Sequence, residues 1–331
     1  MHKKSGMEKV MAKILILDGS TLGSDIDMSE LEKIGEVISY ETSSRSEAIS
    51  RIKEHDPDVI INNKVVLDEE VLSCAKSLKM IAETATGYNN IDIKYAKAHG
   101  IRVANVAGYS TNSVVQHTFA LAFYVLEKLN YYDNYVKSGE YAKCPIFTHF
   151  TEVFPEIYGK TWGIVGLGTI GRSAAKAADA FGCKVVTYSA SGHKYDSEYE
   201  QLEWEEFLKK SDIISIHAPL NEYTNNLFNY DAFSKMKESA VLINVGRGPI
   251  INDADLCRAL NEGIIAGAGL DVIGEEPISA DNPLCSVKDS RKLIITPHIA
   301  WATYEARVRL VHEVAENIKA FLNGEERNVV A

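Results

Sequence analysis

The sequence predicts an α/β protein built from two parallel-sheet units. Short apolar runs alternate with helix-like stretches along most of the chain, the pattern of parallel strands joined by crossover helices. The alternation runs twice, with a long helix and an aromatic stretch between the two series. The 331 residues suffice for two domains, and 46% apolar with 24% charged residues suits sizeable cores.

The first series contains the strands Lys13–Leu17, Val59–Ile61, Leu78–Ala82 and Arg102–Val106, with helical stretches at Ser46–His55 and Asp68–Ser77. A long helix follows over Ser110–Leu129. Ser110, Thr111 and Asn112 offer its N-cap, and apolar residues from Val114 to Leu129 occupy more than one face, predicting burial on several sides. Asn130–Lys160 reads as irregular and aromatic, with Tyr131, Tyr132, Tyr135, Tyr141, Phe147, Phe150, Phe154 and Tyr158. A connection that long has a reason. Contact with a second copy is one, because aromatics are enriched at interface cores. An arm packed on its own domain is the other.

The second series contains Trp162–Gly166, Lys184–Ser189, Ile213–His217, Ala240–Val245, Ala266–Val272 and Leu293–Thr296, the strand count of a dinucleotide-binding domain. A last helix over Thr303–Leu322 carries Val311, Val314, Ala315, Ile318 and Leu322 as one stripe and stops at Gly324. No later strand pairs it with the second unit, so it is expected to cross back onto the first. The expected domains are 7–106 plus 299–331, discontinuous, and 107–298. They are Rossmann-like or flavodoxin-like parallel-sheet domains with a cleft between them.

The net charge of −11 argues against nucleic acid or an anionic membrane as partner, since both need a basic footprint. No run of about 18 apolar residues predicts a membrane span. Cys74, Cys144, Cys183, Cys257 and Cys285 are scattered and odd in number, which reads as buried reduced thiols in a cytoplasmic protein. The basic start, Met1–Met7, lacks an apolar signal core and reads as a short leader, with Met7 and Met11 as alternative starts. No metal-ligand spacing is present.

Gly166-Leu167-Gly168-Thr169-Ile170-Gly171 is a G-x-G-x-x-G that follows a strand, opens a helix and precedes a second strand. That context predicts dinucleotide binding, with the pyrophosphate at the helix N-terminus. An acid about 20 residues on ordinarily accepts from the adenosine ribose. Here the strand ends Ser189-Ala190-Ser191-Gly192-His193-Lys194, with no acid. That removes what repels a 2′-phosphate and adds hydroxyls and positive charge, so these residues favour NADP over NAD. The bland alternative is a plain ribose at Ser189 and solvated His193 and Lys194.

Ligands of open α/β sheets bind beyond the carboxyl ends of the strands. Arg247, Glu276 and His298 follow three successive strands of the second series. Singly, each is more often a surface or turn residue. Together they suit hydride transfer to a 2-keto acid. Arginine clamps a carboxylate with a two-point fork, histidine gives a proton to the forming alkoxide, and a carboxylate orients the imidazole.

In their order and identity, Gly166–Gly171, His217-Ala218-Pro219, Asn244–Gly248, Ala266–Val272, Glu276-Pro277 and Thr296-Pro297-His298 resemble the D-isomer-specific 2-hydroxyacid dehydrogenase family across nearly the whole chain. The resemblance implies that Arg247 binds substrate, that His298 is the acid/base and that Glu276 is its partner. It places Gly166, Gly168, Thr169, Ile170, Gly171, Ser189, Ala218, Pro219, Thr224, Val245, Gly246, Arg247, Asp271 and His298 at the cofactor. Asn63 and Lys64, and Thr86 and Gly87 in the turn Thr84–Asp92, are implied at the substrate; Ala85 stands where a glycine is common. The first domain is then the substrate-binding one and the second the NAD(P)-binding one.

Within the family the likeness is to glycerate dehydrogenases, also called hydroxypyruvate reductases. It rests on Asn63-Lys64, Gln116–Leu121 and His298–Thr303, where Trp301 can wall the pocket for a short side chain. The end at Ala331 leaves no room for a regulatory domain. D-lactate, phosphoglycerate or a branched acid is the alternative substrate, and a nucleotide-sensing, corepressor-like module the non-enzyme alternative. The expected partners are a small 2-keto or 2-hydroxy acid and a second copy in a homodimer.

Overall fold

Strands buried on both faces read as continuous apolar runs, and such strands form the middle of both sheets of this protein. The computed structural model describes residues 11–331, so the leader at Met1–Met7 lies outside the described residues. Two units divide the chain: one runs as far as Tyr109 and resumes over Thr303–Ala331, and the other is Ser110–Ala302.

The first unit runs β1 (Ala12–Ile16), α1 (Ser29–Glu32), β2 (Gly35–Ser39), α2 (Arg45–His55), β3 (Val59–Asn62), α3 (Glu69–Leu72), β4 (Met80–Glu83), α4 (Ile93–Ala98) and β5 (Arg102–Ala104). The sheet order is β2-β1-β3-β4-β5, all parallel. Leu15, Ile60, Ile81 and Val103 form its core with Ala48 and Ile52 of α2. A capping box between Ser44 and Glu47 starts α2. The sequence did not reveal β2, an edge strand whose large apolar residues, Val37 and Ile38, are only half-buried. The helix expected over Asp68–Ser77 is shorter. Asp56 captures the chain beyond it, accepting from the Lys76 and Ser77 amides at 3.0 and 2.9 Å.

The second unit opens with α5 (Thr111–Leu126) and α6 (Leu129–Lys137). Its sheet chain follows: β6 (Thr161–Val165), α7 (Thr169–Ala180), β7 (Lys184–Tyr188), β8 (Glu200–Gln201), α8 (Trp204–Lys210), β9 (Ile213–Ile216), α9 (Tyr230–Lys235), β10 (Val241–Asn244), α10 (Asp253–Glu262), β11 (Gly267–Leu270) and β12 (Leu293–Ile295). The order β12-β11-β10-β9-β6-β7-β8 is again wholly parallel, so every strand ends on one edge. The seventh strand, β8, is an exposed two-residue edge with no apolar signal.

Three expectations need correction. Ser110 holds the N-cap position of α5, but its side chain makes no capping bond. The Asn130–Lys160 stretch is not wholly irregular, because α6 fills its first part. No residue of α6 is buried; its aromatic face stacks locally, with Tyr135 3.8 Å from the His149 ring. The five cysteines are free, but only Cys183 and Cys257 are buried; Cys74 and Cys144 are half-buried and Cys285 is exposed.

The final helix, α11 (Tyr304–Leu322), packs on β4. Its stripe of Ala306, Leu310, Val311, Val314, Ala315 and Ile318 is buried. Asn317, itself buried, donates to the Asn105 carbonyl at 3.0 Å, and the tail pairs with Val103 of β5. Among the described residues no helix is long and apolar enough to cross a membrane.

Candidate active site

In the glycine turn after β6, Gly166 and Gly171 are fixed by steric need and Gly168 is not. Gly166 has φ of +86°, and a Cβ there would lie 2.8 Å from the Ala218 backbone beyond β9. A Cβ at Gly171 would fall 2.0 Å from the Gly166 carbonyl oxygen, so α7 could not seat so closely on the turn. Gly168 differs: a Cβ there meets nothing within 4 Å. It is also the N-cap of α7 and offers no side chain to the first amides of the helix. Those amides and the open space suit a dinucleotide pyrophosphate. Thr169 is exposed and Ile170 half-buried beside them.

Neighbouring strands end on the same edge of the sheet. Ser189 is buried, with its hydroxyl 3.5 Å from that of Ser191, whereas His193 and Lys194 are exposed. After β9, burial holds the His217 imidazole neutral, with its pKa down to about 4. Ala218 and Pro219 follow, and the buried Thr224 donates to the Pro219 carbonyl at 2.7 Å, fixing the loop. Thr224 thus shapes the loop with its hydroxyl.

Arg247 lies beyond β10 on a turn held by Asn244. The Asn244 amide donates to the Arg247 carbonyl at 3.0 Å and accepts from the Gly246 amide at 3.0 Å. Val245 and Gly246 complete this turn. The Gly248 Cα passes so close to the Ile273 carbonyl that a Cβ would overlap it at 1.7 Å. Absence of a side chain there lets the arginine turn lie against the loop that carries Glu276.

Beyond β12, His298 Nδ1 lies 2.7 Å from Glu276 Oε2, and Glu276 Oε1 accepts from the Ile273 amide at 3.3 Å. The pair is part-exposed, at 25% for His298 and 35% for Glu276, so the ring is oriented yet reachable. With Nδ1 on the carboxylate, Nε2 is left to exchange a proton with a ligand. Trp301 is half-buried three residues on.

Asp271, at the end of β11, is 1% exposed. Its Oδ1 accepts from Thr296 Oγ1 at 2.6 Å and the Ile299 amide at 2.9 Å, and its Oδ2 from the Ala300 amide at 2.8 Å. Both oxygens are committed to the segment that carries His298. Burial opposes its ionisation, but the bonds from His117, Thr296, Ala300 and Ile299 outweigh burial and hold the carboxyl below its ordinary range.

In the first unit a second polar cluster sits at the carboxyl ends of β1, β3 and β4. Asp18 accepts from the Asn63 amide at 3.1 Å and the Lys64 amide at 2.6 Å. The Asn63 side chain donates to the Thr84 carbonyl at 2.9 Å, and Thr86 Oγ1 to the Val106 carbonyl at 3.0 Å. Lys64 and Thr86 are exposed and Gly87 half-buried. Beneath them Glu83 is fully buried, accepting from Asn62 at 3.0 Å and Asn90 at 3.2 Å.

Burial pushes Glu83 up to about 8, aided by the Asp18 charge and opposed by Asn62, Asn90 and Lys64. Unfolded, it titrates near about 4.3. Between these values the folded chain holds the extra proton, so this group makes stability fall as pH rises. Urea unfolding of Glu83→Gln beside the wild type is expected to show the variant gaining about 4 kcal/mol relative to wild type from about pH 5 to about pH 9. A pH-independent difference would contradict it.

A dinucleotide-binding sheet with a histidine–carboxylate pair and an arginine turn at its ligand edge defines a nicotinamide-dependent oxidoreductase. Residues 119–300 match the model of the D-isomer specific 2-hydroxyacid dehydrogenase, NAD binding domain, and the chain belongs to that family. It is 38% identical to a hydroxypyruvate reductase of Blautia hydrogenotrophica over 324 residues, 96% of this chain and 99% of that protein. The solved structure of an acyclic imino acid reductase in complex with NADPH and D-Arg superposes with a TM-score of 0.84 at 31% identity, covering 96% of this chain and 100% of that one. D-lactate dehydrogenase from Aquifex aeolicus, complexed with NAD and lactic acid, superposes with a TM-score of 0.82 at 28% identity, covering 94% and 96%. The protein is thus an oxidoreductase that acts on the CH–OH group of 2-hydroxy acids with a nicotinamide cofactor.

Sequence reasoning assigned no role to Asn244, Thr296 or His117. All three stood inside quoted motifs, His117 in Gln116–Leu121, and for Asn244 and Thr296 a polar residue at a strand end was the available signal. His117 carried none, because its partners are over 150 residues away.

Proposed function

We propose that the protein reduces hydroxypyruvate to D-glycerate, with glyoxylate as a second substrate giving glycolate. The observation that carries this reading is the 2.7 Å His298–Glu276 pair beside the Arg247 turn. Arg247 holds the substrate carboxylate and keto oxygen by its fork. His298 Nε2 gives a proton to the carbonyl oxygen as it becomes an alkoxide, while Glu276 on Nδ1 fixes the ring and balances its charge. The bound nicotinamide supplies the hydride. Gly166, Gly168, Thr169, Ile170 and Gly171 hold the pyrophosphate. Ser189, Ala218, Pro219, Val245 and Gly246 line the rest of the cofactor groove, and Thr224 and Asp271 hold its loops. Asn63, Lys64, Thr86 and Gly87 take the substrate from the first, substrate-binding unit, and Trp301 limits its side chain. The likeness to the Blautia hydroxypyruvate reductase supports this substrate over lactate or a branched acid. Rates with hydroxypyruvate, glyoxylate, pyruvate, phosphohydroxypyruvate and a branched keto acid test it. A higher kcat/KM for any of the last three overturns the assignment.

NADP is proposed ahead of NAD. Relatives of this architecture are complexed with either cofactor, so the fold leaves the choice to the end of β7. Ser189, Ser191, His193 and Lys194 stand there without an acid. Ser189→Asp is expected to lower kcat/KM for NADPH by about 10-fold or more and leave NADH nearly unchanged, through repulsion of the 2′-phosphate. Equal losses with both cofactors would sink the preference.

A cytoplasmic homodimer is the proposed assembly. Phe147, Phe150 and Tyr158 are 90%, 70% and 76% exposed in the single chain, an apolar surface that a second copy would cover. Sedimentation velocity of the wild type is expected to give a dimer, and the doubly substituted Phe147→Asp, Phe150→Asp chain a monomer. A monomeric wild type at micromolar concentration would refute it.

A further inference from the structure

We infer that His117, on α5, is a positioning residue that holds the His298 turn in its working geometry through Thr296 and Asp271. The inference rests on the reading of His298 as the acid/base. His298 has φ of +54°, a left-handed conformation that side chains other than glycine rarely adopt. Such a backbone persists where its surroundings over-determine it. Here the His298 amide donates to the carbonyls of Asp271 and Thr296, both at 2.9 Å, and the Asp271 carboxylate takes the amides of Ile299 and Ala300.

The proton inventory assigns the roles further out. Thr296 Oγ1 and Asp271 Oδ1 are 2.6 Å apart, and the carboxylate is ionised, so the proton between them is the threonine's. A hydroxyl has one proton to give. Thr296 Oγ1 therefore accepts from His117, 2.9 Å away, and His117 carries its proton on Nε2. That nitrogen is also 3.4 Å from Asp271 Oδ1. One turn earlier on the same face of α5, the Ser113 hydroxyl donates to the Ala300 carbonyl. The helix thus grips the turn at both ends, residue 296 and residue 300.

This reach depends on the strand beneath. A Cβ at Gly269 would lie 2.9 Å from Leu121 Cβ, and one at Gly267 would lie 2.5 Å from Val125 Cγ1. His117, Leu121 and Val125 are spaced by four along one helix face. Two glycines in β11 let that face approach closely enough for His117 to meet Asp271 at the strand's end.

The test compares His117→Leu, His117→Gln and His117→Asn in the full-length enzyme. Gln places an amide donor where Nε2 sits, and Asn places one where Nδ1 sits. With Leu or Asn, kcat is expected to fall about 10-fold or more and the pH profile of kcat to move, while the cofactor dissociation constant stays within about twofold. With Gln, most of the lost kcat is expected to return. In a Thr296→Val background, adding His117→Leu is expected to cost less than about twofold, because the relay is already cut. Equal kcat in the Gln and Asn variants, or additive losses with Thr296→Val, overturns the inference, and the first comparison stands even if the Leu variant does not fold. A His298→Gln enzyme with near wild-type kcat would instead overturn the acid/base reading, which separates the two failures.

Discussion

His298→Gln is expected to lower kcat by about 10²–10⁴-fold, the contribution of a positioned general acid. The imidazole is held by Glu276 at 2.7 Å through Nδ1, so the loss is that of the proton donor at Nε2. Glutamine keeps the polarity of the position but cannot release a proton to an alkoxide near neutral pH. Cofactor affinity is expected to change little, because the pyrophosphate cradle lies at β6 and the histidine beyond β12, at the other side of the sheet order. Stopped-flow single turnovers, following reduced nicotinamide absorbance, separate the chemical step from product release. A variant within threefold of wild type in single turnover would remove His298 from the acid/base role.

Arg247→Gln is expected to lower kcat/KM for the keto acid by about 10²–10⁴-fold. The guanidinium offers two charge-assisted hydrogen bonds to a carboxylate, each worth about 1.5–3 kcal/mol. Losing both removes about 3–6 kcal/mol of binding in ground and transition states. Asn244 fixes the turn through main-chain groups, so the substitution removes the fork and leaves the turn in place. Arg247→Lys keeps the charge but not the planar fork, and is expected to recover at most about tenfold. The decisive measurement uses a keto compound without a carboxylate. Wild type should discriminate strongly against it and Arg247→Gln should not. Undiminished discrimination in the variant would place the carboxylate elsewhere.

Much of this architecture was legible in the chain because its signals are local. Central strands such as β1, β3 and β9 are buried on both faces and leave unbroken apolar runs. The glycine turn was legible because strand, turn and helix follow one another within a few residues. Two of the four edge strands were not: β2 and β8 are part-exposed or exposed and carry no continuous apolar run, whereas the edge strands β5 and β12 kept short apolar runs and were legible. The helix α6 escaped for a related reason. Its one stripe is aromatic and no residue of it is buried, so the segment reads as part of an aromatic arm rather than as a core helix.

By itself, then, the sequence determined two parallel sheets, the dinucleotide turn and the three strand ends carrying Arg247, Glu276 and His298. These follow from period, steric need and order along the chain. The tertiary structure added the 2.7 Å contact between Glu276 and His298 that the sequence had paired, and it alone decided that Asp271 spends both oxygens on the histidine's turn and that His117 reaches that turn from a helix more than 150 residues earlier. The physical reason is that a hydrogen bond needs its atoms within about 3 Å. Only the packing of α5 on a glycine-bearing β11, and of successive parallel strand ends on one edge, brings those atoms so close.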